Sequence, residues 1–262
     1  MSIAEEESHN IMLRRLWAAV GFLTVLPLPA FCQHTEQDLV RSVSLFPVIG
    51  LLVGLSSAGL ALGLASLFPP LVLAVILVGW LAVVHGGLHL DGVADTADGF
   101  LSHHGRDRVL DIMRDSHIGA FGSLAMGGVL ALKVAALASL PPAYYLEAVL
   151  LAPVLGRCVM VPMLGFLSFA RSDGLGLLFL REGPGWRPIL ESTLAMTILV
   201  GTAWLTVGIA GLVAGAVVVM VTALFAYWCR RRIGGITGDT VGAASEIAEM
   251  VVLVTLSVQF GG

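Results

Sequence analysis

Long apolar stretches separated by short polar breaks dominate the chain, and several approach the ~20 residues that a helix needs to cross a bilayer core. They fall at about 43–67, 70–90, 119–140, 145–169, 189–208, 210–228 and 241–260. The pattern predicts an all-α, polytopic integral membrane helix bundle of about seven transmembrane helices. No linker is long enough to divide it, so residues 1–262 read as a single domain. Ahead of the first span, Arg14-Arg15 and an apolar run to Leu26 predict a short interfacial helix at about 11–27. It reads as retained rather than as a cleaved signal, because Glu5, Glu6 and Glu7 precede it and Pro27-Leu28-Pro29 follows without a small-x-small cleavage site.

The arginines test this count, since short cytoplasmic loops collect positive charge. Numbering the spans in order puts Arg41, then Arg106, Arg108 and Arg114, then Arg171, Arg181 and Arg187, then Arg230, Arg231 and Arg232 on one side. The opposite connections, around 68–70, 141–144 and 208–210, contain no Lys or Arg. The chain is therefore expected to be multi-pass with its long polar loops facing the cytoplasm. Small residues recur four apart at Gly50 and Gly54, Gly59 and Gly63, Gly211 and Gly215, and Gly238 and Gly242, a spacing that lets helix backbones approach closely.

Composition narrows the class. Hydrophobic residues make up 57% of the chain and charged residues 12%, about half the ~25% usual in soluble domains. Burying so much apolar side chain in one ordinary core leaves too little polar surface to face water, which excludes a soluble globular protein and makes membrane lipid the solvent. A net charge of −4 with 14 dispersed cations provides no basic stripe, so nucleic acid is excluded as a partner. Cys32, Cys158 and Cys229 are odd in number and far apart, and imply neither a disulfide framework nor a zinc site.

The candidate chemistry begins where the second span meets the cytoplasmic side, in the segment from His89 to Gly99. Asp91, Asp95 and Asp98 are spaced i, i+4, i+7, which puts all three carboxylates on one helical stripe. Like charges at a membrane interface repel one another, so a cation is expected among them. Oxygen-only ligands suit a hard ion, and Mg²⁺ typically takes one or two protein carboxylates together with substrate phosphates. The plain alternative is a solvated helix cap. His89 can accept a proton from an attacking hydroxyl or orient a carboxylate, or it is a hydrogen-bonded interfacial histidine; His85, deeper in the span, reads as the latter.

Beyond this stripe, Arg106, Arg108, Arg114, Asp115 and Ser116 open the next span and are candidates for holding substrate, the guanidinium fork being suited to phosphate oxygens. Asp107 and Asp111 read as members of a surface helix laced with ion pairs. A late polar patch offers Thr237, Asp239 and Thr240 at a helix start, where free N–H groups and hydroxyls can hold an anion. Glu246 and Glu249 follow at i, i+3 inside the seventh span. Intramembrane acids are functional hypotheses by default, and with Asp239 they are candidate metal ligands. Lys133 is expected to snorkel to the outer interface and Arg157 to pair within the bundle.

Together the segments 46–50, 87–99, 106–116 and 234–249 resemble the cobalamin synthase family of adenosylcobinamide-GDP ribazoletransferases. The run from Phe22 to Pro29 is similar to that family's amino-terminal signature. The resemblance runs from about residue 16 to the end and is weakest over 140–230, where corrinoid contacts cannot be carried over. It implies transfer of the adenosylcobinamide phosphoryl group of adenosylcobinamide-GDP to α-ribazole or its 5′-phosphate, with release of GMP, in a Mg²⁺-dependent step at the bacterial cytoplasmic (inner) membrane. On that reading His89, Asp91 and Asp95 are catalytic; Asp91, Asp95, Asp98, Asp239, Glu246 and Glu249 hold metal; and Arg106, Arg108, Arg114, Asp115, Ser116, Thr237 and Thr240 bind substrate. A homo-oligomer or a complex with other cobalamin-assembly enzymes is an open expectation. CDP-alcohol phosphotransferases and intramembrane prenyltransferases share the Asp-rich logic, but the stretch after Asp91-Gly92 lacks the Arg that the former carry, and the late patch has glutamates where the latter repeat aspartates. A divalent cation transporter would want its acids near span centres, without the Arg-rich segment.

Overall fold

The computed structural model describes residues 3–29, 32, 34–171 and 185–258; Arg181 lies outside the described residues. Helix α1 (Ile3–Leu23) starts earlier than the interfacial helix expected at 11–27 and ends sooner. The short α2 (Glu36–Arg41) opens on a capping box from Thr35 and leads through one 3₁₀ turn into α3 (Phe46–Leu64), which carries Pro47 in its first turn, where a missing N–H costs nothing. Then follow α4 (Pro70–Val84), α5 (Leu88–Phe100), α6 (Arg106–Ile112), α7 (Ala120–Ala138) and α8 (Tyr145–Phe166). The chain ends in α9 (Arg187–Ile233) and α10 (Gly238–Leu256).

Four of these stretches are long and apolar enough to cross a membrane, 43–64, α7, α8 and α9, and a fifth arises if α4 and α5 count together. The expected span at 70–90 is broken. Gly86 and Gly87 take left-handed φ of 59° and 73°, and the Gly87 N–H closes α4 on the Ala82 carbonyl at 2.9 Å, the usual way a helix ends on glycine. The chain then turns 88° into α5. At 47 residues α9 would measure ~70 Å if straight, but Gly208 (φ 60°, ψ −131°) breaks it. A Cβ on Gly211 would fall on the backbone of Ala203, so the second half doubles back on the first. The turn lies where the pattern of spans placed it.

Large apolar side chains such as Leu205, Ile209 and Leu124 are more than 70% exposed, which is tolerable only against lipid. The membrane helix bundle is centred on α8, of which 72% of the most apolar window is buried. Gly50 and Gly54 let α3 approach the backbone of α8 at Pro153 and Leu150. Gly59 and Gly63 have nothing within 4 Å, so their spacing marks no helix contact.

Candidate active site

Helix α5 carries the acidic stripe, and its packing on α10 is set by two glycines. A Cβ on Gly92 would come 2.5 Å from the Asp239 carbonyl, and one on Gly242 would press on His89 at 3.3 Å. This close approach brings Asp239, at the start of α10, to Asp91 and Asp95. Asp91 is exposed and Asp95 half-buried. The charges of Asp91, Asp239 and Asp98 all bear unfavourably on Asp95, and only Arg171 opposes them among the strongest influences on it. The Arg171 guanidinium lies 3.6 Å from Asp239 Oδ2, donates to the Leu110 carbonyl at 3.1 Å, and keeps a buried Nε without an acceptor.

Asp98 leaves the stripe. Its Oδ2 accepts the Gly119 N–H at 2.7 Å and its Oδ1 the Gly122 N–H at 2.9 Å, so it caps the N-terminus of α7, where a carboxylate is favoured by the helix dipole. Side chains at 119 or 122 would collide with that carboxylate.

The two glutamates expected as metal ligands belong to a different structure. Lys133 Nζ donates to Glu246 Oε2 at 2.7 Å and Glu249 Oε2 at 2.6 Å, and Arg157 pairs with the other Glu249 oxygen. All four residues are at most 2% exposed, and their charges sum to zero, as a low-dielectric interior requires. Where metal ligation was expected of Glu246 and Glu249, the structure pairs both carboxylates with buried side-chain cations. Lys133 does not snorkel to an interface, because the two glutamates hold it in the bundle; Arg157 pairs inside as expected. The same arginine contacts the His85 ring, and His85 Nδ1 lies 2.9 Å from the Leu23 carbonyl. His89 stacks on His85 with ring centres 5.0 Å apart, at 3.4 Å from Arg157 through Nδ1.

Several residues expected to bind substrate have partners within the protein. Arg106 spends Nε on the Ile233 carbonyl (2.8 Å) and Nη2 on the Ala170 carbonyl (2.7 Å), which ties α6 to the loops beside α9. Thr237 and Thr240 form a capping box at the head of α10, Thr237 Oγ1 accepting from the Thr240 N–H at 3.3 Å and Thr240 Oγ1 accepting from the Thr237 N–H at 2.9 Å. Thr237 also donates to Asp239 Oδ2 at 3.2 Å, which orients that carboxylate. Arg108, Arg114, Asp115 and Ser116 remain exposed on the same polar end, and Asp115 is turned to the His117 ring at 2.6 Å, which with the His117 N–H holds its carboxyl below the usual range. Sequence reasoning missed Arg171 as a site residue and Arg232 as a clamp on the α5 end through the Phe100, Ser102 and His104 carbonyls. The signal for Arg171 was its position just after the fourth span, which served only to orient the chain.

Beside the acids lies a cavity of about 110 Å³ lined by Phe22, Leu88, Met160, Leu164 and Phe169, with His89 and Asp239 as its polar groups. Among the described residues no three His, Cys, Asp or Glu side chains are placed to cage an ion by themselves.

An all-helical apolar bundle, with acidic side chains gathered where two packed helices meet, defines a polytopic membrane protein. The chain belongs to the cobalamin-5-phosphate synthase (CobS) family, whose model matches residues 15–257. Among its relatives, the adenosylcobinamide-GDP ribazoletransferase of Roseiflexus sp. (strain RS-1) is 45% identical over 244 residues, 91% of this chain and 87% of the relative. The protein of that name from Geotalea daltonii is 39% identical over 251 residues, 96% of this chain and 99% of the relative. That of Desulfitobacterium hafniense is 36% identical and covers 92% and 95%. No solved structure matches.

Proposed function

We propose that this chain transfers the adenosylcobinamide phosphoryl group of adenosylcobinamide-GDP to α-ribazole or its 5′-phosphate, giving adenosylcobalamin or its 5′-phosphate and GMP. The observation that carries the reading is the close packing of Gly92, between Asp91 and Asp95 on α5, against the backbone of Asp239 on α10, with Arg171 3.6 Å from the Asp239 carboxylate. In this transfer a ribose hydroxyl attacks the phosphorus bearing the cobinamide, the P–O bond to GMP breaks, and the hydroxyl proton passes to a base. Such chemistry is mainly positioning and charge neutralisation.

The carboxylate oxygens fit Mg²⁺, a hard ion that needs only one or two protein carboxylates when phosphate and water complete its shell; a cage of three protein ligands is not required. One or two of Asp91, Asp95 and Asp239 would hold it, with substrate phosphate and water completing the shell, and it would neutralise diphosphate oxygens. Arg171, with an unspent Nε–H and a single backbone acceptor, is suited to the phosphate that leaves as GMP. Asp91 or Asp95 takes the hydroxyl proton, because His89 is 3% exposed and its Nδ1 faces Arg157. The arginine-rich end, where Arg106, Arg171 and Arg232 tie the loops together, faces the cytoplasm of a bacterial inner membrane on this reading.

The test is GMP release by the purified protein in detergent with adenosylcobinamide-GDP, α-ribazole and Mg²⁺. Stoichiometric GMP and a phosphodiester product are expected, and Asp95→Asn should lower turnover at least ~100-fold, the scale of a lost proton acceptor. Absence of GMP release from the wild type, or an Asp95→Asn protein within a few-fold of it, overturns the reading.

A further inference from the structure

The cavity beside the acids has a composition that the phosphoryl chemistry leaves unexplained. Its walls come from four helices and a loop: Phe22 of α1, Leu88 of α5, Met160 and Leu164 of α8, Phe169 beyond α8, and Val241 of α10. Phe22 is itself fixed by stacking on Phe46 at 5.9 Å, and Phe169 by the pairing of its neighbours with Ile236, the Ala170 N–H donating to the Ile236 carbonyl at 2.8 Å. The two polar groups, His89 and Asp239, lie on the α5 and α10 walls, and Asp239 is shared with the acidic cleft. The cavity is thus a small apolar chamber that opens onto the reacting groups.

Resting on the proposed reaction, the choice of occupant is a question of size and polarity. The corrin macrocycle exceeds about 110 Å³ many times over. Guanine presents donors and acceptors around its edge, and burying these unpaired costs more than the ring's burial returns. The benzimidazole of α-ribazole is flat, and its methyl-bearing six-membered ring has no polar atom. An apolar cavity of about 150 Å³ holds a whole benzene ring; at about 110 Å³ this chamber is smaller, so it seats the methyl-bearing edge of that ring while the rest of the base and the ribose stay in the mouth. We propose that this cavity is the acceptor subsite: it takes the dimethylated edge of the α-ribazole base and thereby presents the ribose hydroxyls at Asp239, Asp95 and Asp91. His89 then stands at the ring's polar flank as a positioning residue.

The test fills the chamber from α8. Leu164→Trp and Met160→Trp are compared with wild type for GMP release, with Leu205→Trp, on the lipid-facing surface, as the control for adding an indole. The expected result is a KM for α-ribazole raised at least tenfold, with the KM for adenosylcobinamide-GDP within twofold. Free 5,6-dimethylbenzimidazole should inhibit the wild type competitively against α-ribazole and not against the GDP substrate, a measurement that needs no variant to fold. Inhibition competitive with adenosylcobinamide-GDP, or filled variants whose α-ribazole KM does not move, overturns the subsite. If the wild type releases no GMP, the proposed reaction falls by itself. Equilibrium dialysis of 5,6-dimethylbenzimidazole then reads the cavity alone: saturable binding lost in Leu164→Trp keeps it as a site for that ring, and no saturable binding ends it.

Discussion

Replacing Lys133 by Met removes one of two cations from a sealed, balanced set of four charges. Its ammonium holds Glu246 at 2.7 Å and Glu249 at 2.6 Å, with the lysine side chain 2% exposed and the glutamate side chains 3% and 0%. Arg157 still pairs with Glu249, but Glu246 is left as a buried carboxylate without its cation. Breaking a buried pair in this way costs about 3–5 kcal/mol, and for a chain of this size each kcal/mol lowers the melting midpoint by roughly 2–4 °C. A fall of about 10 °C in detergent, followed by intrinsic tryptophan fluorescence, is expected for Lys133→Met. Adding Glu246→Gln removes the stranded charge, so the double variant should recover at least half of that loss. The double variant should also keep GMP release within about threefold of wild type, because Glu246 here neutralises a lysine. A Lys133→Met protein that melts within 2 °C of wild type, or a second substitution that recovers nothing, would show that the four charges are not held as one neutral unit.

Arg171→Ala should raise the KM for adenosylcobinamide-GDP about 10–100-fold, the scale of a lost hydrogen bond to a charged group, with the KM for α-ribazole unmoved and Arg171→Lys intermediate. Steady-state kinetics with each substrate varied in turn decide this, and equal shifts in both constants refute a phosphate contact. Asp98→Asn, by replacing an acceptor of two N–H groups at the head of α7, should cost about 1–2 kcal/mol of stability while turnover survives. Lost turnover with an unchanged melting curve would return Asp98 to the chemistry.

The helices were legible in the sequence because a stretch of apolar residues long enough to cross a bilayer has few other uses, and the turn at Gly208 showed as a break in that stretch. The bend at Gly86-Gly87 was hidden inside a continuous apolar run. A glycine pair permits left-handed φ but does not demand it, and here the demand comes from the tertiary packing of α5 on α10. The stripe of Asp91, Asp95 and Asp98 was legible as helical spacing. That Asp98 faces α7 was not, because its partners lie 21 and 24 residues away. Glu246 and Glu249 illustrate a limit of another kind. An acid in a span signals either a ligand or an ion pair, and only the equal number of lone cations in the spans, Lys133 and Arg157, pointed to the second. Arg106 and Arg232 were ambiguous for a similar reason, since a guanidinium in a polar loop serves a phosphate or a backbone carbonyl equally well.

The bend links the fold to the proposed chemistry, and a single methyl group tests that link. Gly87 sits at φ 73°, and a Cβ there would meet nothing within 4 Å, so the cost of Gly87→Ala is purely conformational, about 1–2 kcal/mol for a left-handed alanine. The chain can relieve it only by rotating toward right-handed values at residue 87, which opens the 88° turn and swings α5 away from α10. Asp91 and Asp95 sit four and eight residues along that lever, so they move further from Asp239 than the hinge itself moves. Turnover should therefore fall about tenfold while the melting midpoint drops by only a few degrees. Gly59→Ala, in a helical position with open space around it, is the matched control and should leave turnover intact. If Gly87→Ala loses stability but turns over like wild type, α5 need not be held at this angle, and the meeting of the three aspartates is not what the reaction uses.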